Sequence, residues 1–120
     1  MARPRKCRRV CCLPRASQFG PLDVEDAMSQ YIHMTVDEYE TIRLIDLEGL
    51  MQEECSVHMK VARTTVQSIY NSARKKLAES LVLGKRLCIE GGEYQLCEKE
   101  WGDCQNSFCG KKTIKKEPKL

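Results

Sequence analysis

No stretch of this 120-residue chain comes near the roughly 18 consecutive apolar residues that a bilayer span needs. The basic start, Met1 to Lys6, is not followed by an apolar segment, so neither a membrane protein nor a secreted one is expected, and the cytoplasm is the expected compartment. No Gly-rich phosphate loop is present. The two histidines, His33 and His58, have no serine or cysteine at a catalytic spacing, so enzymatic chemistry is not expected. Among eight cysteines there is no Cys-x-x-Cys pair. The most informative absence is of negative charge: residues 55–78 contain neither Asp nor Glu.

What is present suits one domain. At 120 residues and 42% apolar composition, such a domain buries about two-thirds of the surface its unfolded chain exposes and needs no disulfides. Charge is segregated along it. Residues 1–15 hold six bases and no acid, residues 111–120 hold five lysines against Glu117, and residues 20–54 hold ten acids against the single base Arg43. The net charge of +3 therefore conceals two basic arms around an acidic body. A further positive patch, Arg63, Arg74, Lys75 and Lys76, lies inside the acid-free stretch. Such segregation suits a polyanion partner. The expected organisation is a basic N-terminal arm over 1–15, a helical domain over 16–97 and a Cys-containing basic tail over 98–120, which lacks periodicity and reads as disordered.

Thr35-Val36-Asp37-Glu38 has the form of a capping box, in which the threonine caps backbone N–H groups and the glutamate reaches back. A helix is expected over about 36–48, with Val36, Tyr39, Ile42, Leu44, Ile45 and Leu47 as its apolar stripe and Gly49 as its left-handed stop. Residues 52–59 predict a short second helix. Residues 63–83 predict a longer one, in which Val66, Ile69, Tyr70, Ala73, Leu77 and Leu81 recur at three and four residues before Gly84. Polarity then alternates over 86–90 and 93–97 around Gly91-Gly92, the signal of a two-residue β-hairpin that sets Leu87 against Leu96 and Ile89 against Tyr94.

The junction of the second and third helices predicts a helix-turn-helix, which needs apolar residues at fixed offsets and small residues where the helices touch. Cys55, Ser56, Met59, Val61, Val66 and Ile69 fall at those offsets in order. Between them, Arg63, Thr64, Gln67, Ser68, Asn71, Arg74 and Lys75 face outward, and these residue types bond base edges and phosphates. A generic helical hairpin would account for the apolar offsets but not for the missing acids. Three positions depart from the usual pattern: Lys60 stands where the turn favours Gly or Asn, and Met51 and Ala62 stand where Ser or Thr would cap, so weak caps are expected.

The run Leu50-Met51-Gln52-Glu53-Glu54-Cys55, Val61-Ala62-Arg63-Thr64-Thr65-Val66 and Ser72-Ala73-Arg74-Lys75-Lys76-Leu77 resembles the region-four helix-turn-helix of bacterial sigma factors. The span 1–97 is similar to a family of short uncharacterised prokaryotic proteins described as predicted DNA-binding proteins. The resemblance rests on Arg3-Pro4-Arg5-Lys6-Cys7-Arg8-Arg9-Val10-Cys11, Asp37-Glu38-Tyr39-Glu40-Thr41-Ile42-Arg43-Leu44, Asp46-Leu47-Glu48-Gly49-Leu50 and Arg86-Leu87-Cys88-Ile89-Glu90-Gly91-Gly92. It implies a mainly α, winged-helix-like fold with an appended β-hairpin. Some relatives continue into a domain similar to carriers of the nitrogenase iron–molybdenum cofactor, for which this chain is expected to be too short.

The function these readings predict is sequence-specific DNA binding in transcription regulation. Arg63, Gln67 and Asn71 would read bases, while Arg74 and Lys75 bond phosphates and Arg3, Arg5 and Lys6 lie along a minor groove. Contact with RNA polymerase and homo-oligomerisation stay open. Cys55 reads as core and His58 as a solvated helix residue. Four thiolates drawn from Cys97, Cys104 and Cys109 with Cys7 or Cys11 would suit zinc or an iron–sulfur cluster, if residues 8–13 add a strand to the hairpin; scattered free thiols are the plainer expectation. In the hairpin register Cys88 would oppose Gln95. The alternative function is a metal- or redox-linked accessory protein whose helix-turn-helix binds another protein.

Overall fold

In the computed structural model, which describes residues 8–23 and 30–96, the capping box opens the first helix as its residues dictate. The Thr35 N–H donates to Glu38 Oε1 at 2.9 Å, and the Glu38 N–H donates to Thr35 Oγ1 at 3.4 Å. This helix, α1, spans Val36–Thr41 and then widens into a π-helical segment, Ile42–Leu47, in which the Glu48 N–H reaches back to the Arg43 carbonyl. The chain leaves it near Gly49, at φ 82°. The predicted stretch is thus helical, with a change of winding halfway. A wider turn shifts later side chains round the axis, so Leu44 is fully buried while Leu47, expected in the apolar stripe, is exposed.

Helices α2, Gln52–Met59, and α3, Arg63–Leu83, occupy the spans expected of them, and Gly84 ends α3 in the left-handed region. Lys60 takes the left-handed conformation between them, at φ 58° and ψ 43°. The weak caps are also found. Ala62 provides no side-chain cap to α3, and at the start of α2 Glu54 compensates by accepting the Met51 N–H at 3.0 Å.

Five short strands complete the described residues: β1, Arg8–Val10; β2, Gln18–Phe19; β3, Tyr31–Met34; β4, Arg86–Ile89; and β5, Tyr94–Leu96. The expected hairpin is corrected here. Strands β4 and β5 exist but do not pair with each other, because both edges of β4 are taken, by β2 antiparallel and by β3 parallel. Leu87 therefore lies opposite Phe19 and Ile32, Ile89 opposite Met34, and Cys88 opposite Gln18 and His33 rather than Gln95. Strand β5 pairs parallel with β1 instead, Tyr94 opposite Arg8 and Leu96 opposite Val10. The Gly91-Gly92 turn serves this different path. The Gly91 carbonyl accepts the Val36 N–H at 3.0 Å, and a Cβ on Gly92 would lie 2.5 Å from Asp37 Oδ1, so the chain passes hard against the start of α1.

Two apolar clusters hold these elements. One gathers Val10, Met34, Val36, Ala73, Leu87 and Ile89, and so joins both sheets to α1 and α3. The other gathers Leu44, Leu50, Cys55, Met59 and Val66, with Ile45 and Val61 against it, and so fixes α2 on α3. Each such aliphatic side chain contributes about 1.5–3 kcal/mol on burial. Arg43, the single base of the acidic stretch, is spent inside the fold. Its Nε and Nη2 each donate to the buried Glu40 carboxylate at 2.9 Å, and its Nη1 donates to Glu48 at 3.3 Å. The Cys11 N–H also donates to Glu40, at 3.2 Å.

Candidate nucleic-acid interface

Helix α3 is amphipathic in the way its residue order requires. Val66, Ile69, Tyr70 and Ala73 are buried, while Arg63, Thr64, Gln67, Ser68, Asn71, Arg74 and Lys75 are all exposed. Leu77 packs against the first cluster, but Leu81, expected to continue the buried stripe, is 83% exposed at the mouth of an apolar cavity of about 570 Å³. That cavity lies between α3, the π segment and the sheet, and its lining contains no carboxylate, histidine, cysteine or cation.

The underside of α3 is pinned by polar contacts as well as by packing. The Tyr70 hydroxyl donates to Asp46 Oδ1 at 2.8 Å, and the Arg74 guanidinium lies 5.4 Å from the Tyr70 ring centroid. Two residues after each of these, Ser72 Oγ and Lys76 Nζ donate to Glu38 at 2.6 and 2.7 Å. Burial pushes the Glu38 carboxyl up, but the bonds from Lys76, Ser72 and the Thr35 N–H outweigh it and hold the group below its ordinary range. Lys76 is thus tied to α1. Arg63, Gln67, Asn71 and Lys75, by contrast, make no side-chain hydrogen bond or ion pair among the described residues. The face they form carries positive charge and amide groups with no acid along its first four turns, and its N-terminal end adds the partial positive charge of the helix dipole.

The other expected site residues divide. Arg3, Arg5, Lys6, Cys7, Cys97, Cys104 and Cys109 lie outside the described residues. Within the basic segment, Arg8 is drawn into the fold, with its Nη1 3.4 Å from Glu93 and 3.7 Å from Asp37. Cys11 is buried and belongs to no group of three candidate ligand atoms among the described residues. Cys55 lies in the core as expected, its thiol pushed up to about 12 by burial and by Glu40, with Met59 Sδ 3.7 Å away. His58, expected to be solvated, is half-buried, and burial together with the charges of Arg9 and Arg43 holds its imidazole below the ordinary value. Missed by the sequence is a cluster on the sheet: His33, in β3 just ahead of the start of α1, approaches Cys88 and Glu90.

Fold and surface together define a small three-helix domain backed by two short sheets, with one long helix presenting a basic, amide-rich face that is free of acids over its first four turns. The chain belongs to the family described as Protein of unknown function DUF134, which matches residues 1–97. It is 67% identical over 98 residues to a UPF0251 protein of Desulfitobacterium hafniense strain Y51, covering 82% of this chain and 78% of that one. A UPF0251 protein of Thermoanaerobacter sp. strain X514 is 50% identical over 100 residues, 83% of this chain and 88% of its own. One from Chlorobaculum tepidum is 45% identical over 100 residues, 83% of this chain and 51% of its own. No solved structure matches the chain.

Proposed function

We propose that this protein is a sequence-specific DNA-binding protein acting in transcription regulation, with α2 and α3 forming a helix-turn-helix of the sigma region-four kind. The observation that carries the reading is the division of α3 into a buried underside and seven exposed residues without an acid among them. Supporting it, Cys55, Met59 and Val66 are buried together at the offsets that such a motif requires, with Val61 against them. In this reading α3 enters the major groove. Arg63, Gln67 and Asn71 meet base edges, Thr64 and Ser68 bond bases or phosphates, and Arg74 and Lys75 neutralise phosphates. Arg3, Arg5 and Lys6 add sequence-independent attraction along the minor groove.

Selection of bound fragments from genomic DNA supplies the site on which to test this. Gln67→Ala and Asn71→Ala are each expected to weaken binding to the selected site by about 1–3 kcal/mol and to relax preference at one base pair. Removing residues 2–6 is expected to weaken all DNA alike and to flatten the slope of log affinity against log salt by about 0.9 for each phosphate that the arm no longer neutralises. Both single variants binding with unchanged affinity and preference would refute the assignment of α3.

A further inference from the structure

The outer face of the three-stranded sheet carries a second constellation, unrelated to α3. Because β3 and β4 run parallel with His33 opposite Cys88, and side chains two residues apart share a face, His33, Cys88 and Glu90 all project from the side opposite Met34, Leu87 and Ile89. One potential ligand atom from each lies within 4.8 Å of the others, and His33 Nδ1 is 4.0 Å from Glu90 Oε1. We propose that these three residues form a site for one divalent metal ion of the zinc type, with its fourth position open to water or an exogenous ligand.

The donor set decides the class of ion. Magnesium and calcium call for oxygen ligands in sets of six or more, whereas zinc accepts imidazole nitrogen, thiolate sulfur and carboxylate oxygen together in a tetrahedron. Bond lengths of about 2.0–2.3 Å place tetrahedral ligand atoms about 3.3–3.7 Å apart, so the set has to close by less than about 1.5 Å. The side chains that must move are free to do so, since those of His33 and Glu90 are 68% and 67% exposed while Cys88 is held in the central strand. Tyr31, next on the same face, stacks on His33 with ring centroids 6.4 Å apart, and Arg86 lies over the Tyr31 ring at 5.9 Å. Binding exchanges the Cys88 S–H bond for a sulfur–metal bond and releases the proton to water. Three protein ligands with one open position is the pattern of exchangeable or reactive zinc rather than of a closed structural site.

Cobalt(II) is the probe, added to the full chain after metal-free purification under reducing conditions. One equivalent is expected to bind, with tetrahedral d–d bands and a thiolate-to-cobalt charge-transfer band. His33→Ala and Glu90→Gln are each expected to weaken binding about tenfold or more while leaving circular dichroism unchanged. Cys88→Ser is expected to remove the charge-transfer band of this site. Serine at Cys97, Cys104 and Cys109 together is expected to change nothing, because the site is on the sheet. Failure to bind cobalt, binding that survives His33→Ala and Glu90→Gln, or binding lost in the triple serine variant would each overturn the proposal.

Discussion

Glu40 is 1% exposed, and its two carboxylate oxygens meet the Arg43 guanidinium in a two-point contact that also takes in the Cys11 N–H. Removing Arg43 strands that carboxylate in the interior, and the usual cost of an unpaired buried charge is about 3–5 kcal/mol, more than the loss of the arginine's own packing. Arg43→Ala is accordingly expected to lose that much stability in urea denaturation. Replacing the pair together, Glu40→Leu with Arg43→Met, is expected to recover most of it, the remaining deficit reflecting the Cys11 N–H left without its acceptor. A double variant as unstable as Arg43→Ala would show that the pair supplies net stability and not only mutual compensation. Arg43 was legible in the sequence as the one base in an acidic stretch, but its partner was not: nothing in composition says which of ten neighbouring acids is taken inside.

At the scale of elements, α3 begins without a side-chain cap, since Ala62 stands with extended backbone where a hydroxyl would accept an N–H of the first turn. Ala62→Ser is expected to raise stability by about 1 kcal/mol in thermal or chemical denaturation. No gain would mean that the first turn is satisfied by other contacts. The spans of α2 and α3 were legible because periodicity and a terminal glycine are local signals, and the exposed residues of α3 followed from the same periodicity. Strand pairing was not. Gly91-Gly92 reads locally as a hairpin, yet the partner of β4 is decided by Tyr31–Met34, more than fifty residues earlier, and by the two residues of β2. The change of winding after Thr41 left no signal in the apolar stripe either, and Leu47 was misplaced for that reason. The cluster of His33 with Cys88 and Glu90 was invisible in the sequence because only the parallel register brings its two strands side by side.

For the molecule as a whole, the shifted groups set the direction of its pH response. The His58 imidazole is held below its ordinary value in the folded state, mainly by burial and then by Arg9 and Arg43. Above about pH 6.5 it is neutral in both folded and unfolded chains and contributes nothing. As pH falls below that value the unfolded chain takes up a proton that the folded chain resists, so stability declines. Glu38, whose carboxyl is held low, adds a second loss when pH falls through the ordinary glutamate range. Denaturation midpoints measured from pH 8 to pH 4 are expected to fall in that order, and His58→Gln is expected to flatten the first part of the decline. An identical profile in His58→Gln would remove this histidine from the account.

The parallel pairing of β1 with β5 also fixes an order of events during synthesis. The cluster of Leu44, Leu50, Cys55, Met59 and Val66 draws on one short stretch of chain and can close as soon as α3 has emerged. Val10, fully buried in the finished fold, pairs with Leu96 only after more than eighty further residues have been made. Pairings of such long sequence separation form slowly, since the chain must give up its freedom before they repay it. The helices are therefore expected to assemble first and the sheets last. A released chain truncated before Tyr94 is expected to keep its α2–α3 unit folded while its strand β1, left without a partner, is cut by proteases sooner than in the full chain.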